Sequence, residues 1–237
     1  MKILSLDSTA IVSTVAVCED ERLLAQFTLN NGNTHSETLL PMIESSLKLL
    51  KLNIDDIDLF ACSAGPGSFT GVRIGVATIK GLAFGKNKPC VGVSSLEALA
   101  YNMTGADGLI CPVMNARRSQ LYNALFICEG GNLKRVCEDR LISVFDLEDE
   151  LRKYSDMPIY LCGDGYDIAK EAFTKIKTCN TPTFQIYQSA YSVALCALKA
   201  SKQELLTNDR EIAPVYLRAS QAERERLEKL KNEENKN

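Results

Sequence analysis

The single histidine restricts the chemistry that this 237-residue sequence could perform. One imidazole cannot form a two-histidine metal site, and any Ser-His-Asp or Cys-His device would have to use His35. This residue stands beside Thr34 at the predicted start of a helix, and no nucleophile or orienting acid is identifiable next to it. His35 is therefore either a catalytic residue or, as the sequence favours, a surface or interface histidine.

A glycine-rich turn at residues 65–71, with the sequence GPGSFTG, follows a predicted strand and opens a predicted helix. Backbone N–H groups and the helix dipole can hold an anion at such a position, which makes Gly65, Gly67 and Ser68 candidate cofactor contacts. The turn is not a P-loop, and the dinucleotide-binding pattern fails because Thr70 takes the place of its third glycine. The alternative is a tight turn in which Ser68 or Thr70 caps the helix.

Two acidic residues follow predicted strands. Asp7 ends the first strand, where it could orient a metal or a water in a cleft or could cap the following turn. Asp164 stands between two glycines, a pattern that most often forms a turn and could also accommodate a nucleotide base. For both residues the sequence favours the turn.

The elements that must position these residues occur in two similar series. The first series comprises predicted strands at 3–7, 12–17, 23–29, 59–63 and 90–93, with helices at 35–50, at 68–84 and after 94. The second comprises strands at 110–114, 120–128, 136–142 and 159–162, with helices at 144–154, 166–175 and 189–206. This repetition predicts two α/β lobes with mixed sheets and a cleft between them. We assign residues 1–104 to the first lobe, 105–219 to the second, with a late helix that could pack back on the first, and 220–237 to a charged tail.

The predicted helix at 68–84 is apolar almost all round. One face carries bulky residues suited to a sheet, and an adjacent face carries small ones. Such a helix must be covered on both sides, yet it is too short and too charged to span a bilayer. Either the second lobe or the third helix covers the small face, or a partner helix does. The interface candidates on this helix and the one before it are Leu39, Met42, Leu49, Gly71, Gly75, Thr78 and Leu82.

Charge and cysteine usage limit the class of protein. Twenty-seven basic and thirty acidic residues give a net charge of −3, which argues against a chain that grips nucleic acid by itself. Any RNA contact would be shared with a partner. The nine cysteines form no C-x-x-C pair, and several lie in strand-like runs, as expected of buried free thiols in a reducing cytoplasm. No apolar run approaches the roughly 18 residues of a membrane span.

Four segments together resemble the bacterial TsaB (YeaZ) family. They are ILSLDST at residues 3–9, HSETLLPMI at 35–43, the glycine-rich signature at 65–75 followed by KGLA at 80–83, and PVYLR at 214–218. The segments occur in order over residues 1 to about 220, which is nearly the whole chain. The signature at 65–75 is the most specific of them.

The resemblance implies an actin-like ATPase fold (ASKHA, ribonuclease H-like) and a role in making N6-threonylcarbamoyladenosine (t6A) beside the anticodon of tRNA. In that family TsaB is a non-catalytic scaffold in the cytoplasm. Its first two helices pair with the paralogue TsaD, which transfers the threonylcarbamoyl group, and TsaE, a P-loop ATPase, joins them. The implied partners are thus a TsaD-like paralogue, a TsaE-like ATPase and, through the complex, tRNA. A homodimer through the same helices and a nucleotide at the interface stay open; no cofactor or metal of its own is expected.

Substitutions at four positions favour the non-catalytic role. Ser95 and Leu99 stand where TsaD carries two metal-binding histidines, and neither side chain can replace an imidazole. Asn115 and Gln120 stand where TsaB proteins commonly have acids, which removes charged oxygen ligands for magnesium. The alternative function is a stand-alone small-molecule kinase or ATPase of the same superfold that uses Asp7 and the glycine-rich turn. The single histidine and the missing H-E-x-x-H motif argue against a third reading, a metal-dependent peptidase.

Overall fold

A five-stranded mixed sheet forms the centre of the first half of the chain. The computed structural model describes residues 1–218, so the charged tail assigned to 220–237 lies outside the described residues. The strands are β1 (Lys2–Asp7), β2 (Ser13–Glu19), β3 (Arg22–Leu29), β4 (Leu59–Gly65) and β5 (Cys90–Ser94), in the spatial order β3-β2-β1-β4-β5. The first three pair antiparallel, whereas β4 runs parallel to both β1 and β5. Asp7 and Gly65 therefore end neighbouring strands at the same edge of the sheet.

Three helices accompany this sheet, and polar caps fix where they begin. They are α1 (His35–Leu50), α2 (Phe69–Ala83) and α3 (Ser95–Tyr101). The Thr34 amide donates to the Glu37 carboxylate at 3.3 Å, which completes the predicted capping box of α1. The Ser68 hydroxyl accepts the amide of Gly71 at 3.3 Å and begins α2 at the end of the glycine-rich turn. The predicted starts of both helices are confirmed.

The second half repeats the pattern with one strand fewer. Its sheet has the order β8-β7-β6-β9, with β6 and β9 parallel. The elements are β6 (Gly108–Asn115), β7 (Gln120–Glu129), β8 (Asn132–Ser143), β9 (Ile159–Cys162), α4 (Val144–Leu151), α5 (Tyr166–Ala172), α6 (Thr183–Ile186) and α7 (Ala190–Lys202). Helix α5 ends three residues earlier than predicted because the buried Glu148 carboxylate accepts the amides of Thr174 and Lys175.

Helix α7 packs on the first sheet although it follows the second sheet in the chain. The Ser5 hydroxyl donates to the Ala190 carbonyl at 2.7 Å, and the Ala190 amide donates to the Thr14 hydroxyl at 3.3 Å. Small residues of α7, including Ala194 and Ala197, are fully buried against β1 and β2. This packing covers one face of the first sheet, while α1 and α2 cover the other.

All nine cysteines lie in the described part of the chain and are free thiols. Seven of them are buried, as the strand-like runs predicted. Burial raises the pKa of both Cys18 and Cys111 to about 12, so these thiols stay protonated and unreactive at neutral pH. Within residues 1–218, no helix has the length and apolar character that crossing a bilayer requires.

Candidate functional site

Both carboxylate oxygens of Asp7 accept hydrogen bonds from residues of the same chain. One carboxylate oxygen accepts the amide of Thr9 at 2.8 Å and its hydroxyl at 2.7 Å, and the other accepts the Ser63 hydroxyl at 2.5 Å. The side chain is fully buried. Burial raises the pKa of Asp7, and the bonds from Ser63 and Thr9 oppose that rise. This geometry is the turn-capping alternative, since the carboxylate holds the loop after β1 against β4.

The glycine-rich turn is packed against that same loop. The amide of Ser68 donates to the Thr9 carbonyl at 2.7 Å. A Cβ built on Gly67 would lie 2.5 Å from that carbonyl oxygen, so only glycine fits there. Gly65 has a φ of +117° and lies directly against the backbone carbonyl of Val215. Contacts within the chain therefore occupy the Ser68 amide and the space beside Gly65 and Gly67, both of which an anion would need.

His35 connects the loop after β1 to the start of α1. Its Nε2 lies 2.8 Å from the Ala10 carbonyl, and its Nδ1 lies 2.6 Å from the Ser13 hydroxyl. Because a carbonyl oxygen can only accept, Nε2 donates to Ala10, and Nδ1 shares its hydrogen bond with the Ser13 hydroxyl. Ser13 also lies 3.0 Å from the Thr38 hydroxyl. The histidine is partly buried and holds structure, rather than lying free on the surface.

Asp164, in the second half of the chain, lies close enough to Asp7 to be affected by its charge. Asp164 lies in the turn that follows β9, and its carboxylate accepts the amide of Asn115, the last residue of β6, at 3.3 Å. Burial raises the pKa of Asp164 to about 6, and the negative charge of Asp7 adds to the rise. Among residues 1–218, no cluster of three or more histidines, cysteines or acids has an arrangement that could hold a metal ion. Asp7 and Asp164 therefore come close together from the ends of β1 and β9, without forming a metal site.

We expect the Asp164→Asn variant to change how stability depends on pH. The folded state raises the pKa of Asp164 from its ordinary value near 4 to about 6 and so favours the protonated acid. That contribution to stability is complete below about pH 4 and is lost as the pH rises through 6. As the pH rises from about 4 to 6, the free energy of unfolding of the parent chain should therefore fall relative to that of the variant. Above about pH 7 the difference between the two should stay constant. Urea titrations from pH 4 to 8 measure this, and a constant difference across the range would contradict it.

Four of the seven interface candidates are buried within the first lobe. Leu39 and Met42 are buried in the core between α1 and the sheet. A Cβ on Gly71 would overlap the Ser8 carbonyl, and one on Gly75 would lie 2.8 Å from the Ser8 hydroxyl and 3.1 Å from Leu6. The small face of α2 does admit a close neighbour, but that neighbour is the chain's own β1 and the loop after it.

The other three candidates remain at the surface. Leu49 is 71% exposed, and Thr78 and Leu82 are half-buried. Sequence reasoning missed Ala77 and Gly81, which are exposed on α2 although both are small and uncharged. The signal was available, because both lie on the side of α2 that carries Arg73 and Thr70, which are also exposed. We define the α2 outer surface as the exposed or half-buried residues Ile74, Ala77, Thr78, Gly81 and Leu82.

Two of the four substituted positions lie in α3 and two lie at the ends of β6 and β7. The Asn115 side chain accepts the amide of Arg117 at 2.8 Å and so shapes the loop between β6 and β7. Ser95 and Leu99 are fully buried within α3. Gln120 is half-buried at the start of β7. None of these positions carries a carboxylate. That the chain binds magnesium only weakly, if at all, therefore stays a prediction.

The fold defines a class of protein. Three antiparallel strands, followed through a helix by a strand parallel to the first, occur once in each half. This is the actin-like ATPase (ASKHA, ribonuclease H-like) fold, as predicted. Two solved structures from Pseudomonas aeruginosa agree with it. YeaZ superposes with a TM-score of 0.75 at 22% identity, covering 91% of this chain and 99% of that one. A protein described as similar to peptidase YEAZ superposes with a TM-score of 0.79 at 21% identity, covering 92% and 99%.

Sequence comparison identifies the family. The chain is 30% identical to the tRNA threonylcarbamoyladenosine biosynthesis protein TsaB of Bacillus subtilis over 98% of this chain and 100% of the relative. It is 28% identical to a tRNA N6-adenosine threonylcarbamoyltransferase of Kosmotoga olearia over 70% of this chain and 53% of that enzyme. Residues 22–226 match the family model described as TsaD: tRNA N6-adenosine threonylcarbamoyltransferase. The chain belongs to the TsaB family of tRNA threonylcarbamoyladenosine biosynthesis proteins, within this wider TsaD-related group.

Proposed function

We propose that this protein is a non-catalytic scaffold subunit in t6A synthesis. In this role it binds and activates a catalytic TsaD-like paralogue, together with a TsaE-like P-loop ATPase, in the cytoplasm, and it contacts tRNA only through the complex. Its TsaB relatives are named for the biosynthesis of the modified nucleoside, and its TsaD relatives are named as the transferase. The chain itself needs no cofactor in this role, and a nucleotide would bind only at the partner interface.

The bonding of Asp7 is the observation that carries the proposal. An acid at the end of β1 is the residue that could orient a metal or a water in this cleft. Here both of its oxygens are occupied by Thr9 and Ser63 inside the lobe. The neighbouring turn is filled in the same way, since the Ser68 amide is bonded to the Thr9 carbonyl. An acid and an amide that are both bonded within their own chain favour a structural role over turnover.

The α2 outer surface supports the choice of partner. Its five residues are small or apolar and carry no charge, and the charged residues Arg73 and Lys80 lie beside them on the helix. Small residues on a helix allow a second helix to approach closely, and an apolar strip of this kind gains free energy when it is covered. The resemblance to TsaB assigns the first two helices to pairing with TsaD. A related helix of the paralogue is therefore the occupant that we propose.

Reconstitution of the reaction tests the proposal. Purified TsaD-like paralogue, TsaE-like ATPase and the threonylcarbamoyl-adenylate synthase of the same organism are combined with tRNA, with or without this chain. We expect t6A to form only when the chain is present, and we expect the chain alone neither to modify tRNA nor to hydrolyse ATP. Full activity without the chain would refute the scaffold role.

The alternative is a stand-alone kinase or ATPase of the same superfold. The half-buried Asp164, with its raised pKa, is the observation that favours it, because perturbed acids occur often in catalytic clefts. An Asp7→Asn variant separates the two functions. The alternative requires a loss of ATP turnover in the isolated variant, whereas the scaffold requires that the parent chain has no turnover to lose. Size-exclusion chromatography of the isolated chain decides whether it also forms a homodimer.

A further inference from the structure

The segment at residues 212–218, which contains the motif PVYLR, has no part in the proposed function. It begins at Ile212, which is buried in the core of the first lobe, and it ends at Arg218, which contacts the second lobe. Between these points it runs without helix or strand structure past the glycine-rich turn. The segment contacts both lobes.

The segment is attached to the first lobe by its backbone and by one aromatic ring. The amide of Val215 donates to the Ala64 carbonyl at 2.7 Å, and the Val215 carbonyl lies in the space that a side chain at residue 65 would occupy. The ring of Tyr216 stacks on that of Phe69, with centroids 4.3 Å apart and planes 4° from parallel. The Nε of Arg73 donates to the Tyr216 hydroxyl at 2.8 Å. These contacts hold the segment against the glycine-rich turn and the first turns of α2.

The next two residues attach the segment to the second lobe. Leu217 packs against a buried cluster that joins Ala10 of the first lobe to Met114 and Ala116 of the second. The guanidinium of Arg218 donates to the Ala116 carbonyl at 2.8 Å. This carbonyl belongs to the loop between β6 and β7, where three consecutive residues, 117–119, have positive φ values between 55° and 64°. A left-handed backbone is unfavourable for residues other than glycine, so the loop needs such external contacts to keep its shape.

We propose that the groove between the glycine-rich turn and the β6–β7 loop is a peptide-binding site. Its ligand is an extended segment of this chain, residues 212–218, which acts as a strap that fastens the two lobes together. The groove binds the backbone of Val215 beside Gly65, the ring of Tyr216 at Phe69 and the guanidinium of Arg218 at the Ala116 carbonyl. The strap thereby blocks the side of the glycine-rich turn from which an anion would bind. This inference does not depend on the scaffold function.

Hydrogen–deuterium exchange on the full-length chain tests the strap. The double variant Tyr216→Ala/Arg218→Ala removes the two side-chain anchors and leaves the backbone sequence otherwise intact. We expect exchange to become faster by roughly tenfold or more in residues 212–218 and also in both walls of the groove, at 65–69 and 115–120. The exchange of residues 122–129 of β7 and of α7, which lie away from the groove, should not change.

Two further variants serve as controls. Val215→Ala alters a side chain that is 53% exposed and leaves the bonded backbone in place, so its exchange should match that of the parent chain. Arg218→Lys, alone, retains a charged donor that can reach the Ala116 carbonyl and should show less than half of the effect of Arg218→Ala. The proposal is overturned if the double variant leaves exchange at 115–120 unchanged, since the segment would then be attached to one lobe only.

Discussion

Replacing Gly71 by valine is expected to destabilise the first lobe by at least about 3 kcal/mol, which is a large part of the total stability of a domain this size. The Cβ of any residue at this position would overlap the Ser8 carbonyl. The helix would have to move away from the loop after β1, and the bond from the Ser8 hydroxyl to the Gly71 carbonyl, 2.9 Å long, would break. Unfolding in urea, followed by circular dichroism, measures the change.

A glycine on the same helix provides the matched control. A Cβ on Gly81 would meet nothing within 4 Å. Since alanine is the better helix former, Gly81→Ala should raise the free energy of unfolding by up to about 1 kcal/mol. The two substitutions therefore have opposite signs although they change the same residue type in one helix. A Gly71→Val protein as stable as its parent would show that α2 does not pack against this loop.

The second large effect concerns association. We expect the double variant Ala77→Arg/Gly81→Leu to bind the TsaD-like paralogue roughly 100-fold more weakly than the parent chain, and to fold normally. Both positions are exposed, so neither new side chain enters the core. The variant places a charge and a bulky side chain where a partner helix would need a small, uncharged surface. Isothermal titration calorimetry with the purified paralogue measures the affinity, and circular dichroism checks the fold.

The control for this experiment repeats the glycine-to-leucine change at a position outside the α2 outer surface. Gly105 lies in the loop after α3, it is exposed, and a Cβ there would also meet nothing within 4 Å. Gly105→Leu should leave the affinity for the paralogue unchanged. Gly75→Leu is unsuitable for the purpose, because its side chain would be forced against Ser8 and Leu6 and would damage the lobe itself. Unaltered affinity in the double variant, with the fold intact, would place the partner on another surface.

Most of the secondary structure was predictable because its signals are local. The Thr34 capping box, the Ser68 cap and the alternation of apolar residues act over a few positions, and α1, α2 and the nine strands lie close to where they were expected. The end of α5 was predicted too late. The cause is the carboxylate of Glu148, which lies 26 residues from Thr174 in the chain and accepts its amide. Sequence pattern within one helix carries no information about such a distant partner.

Composition, periodicity and the four family segments by themselves determined the class of fold, the two-lobed repeat and the TsaB family. They also identified α2 as a helix that must be covered on more than one side. Which residues cover it was decided only by the tertiary structure, because the identity of a neighbour depends on how distant strands and loops are brought together. Ser8 fills the space beside Gly71 and Gly75, Val215 fills the space beside Gly65, and the surface around Ala77 and Gly81 is left exposed.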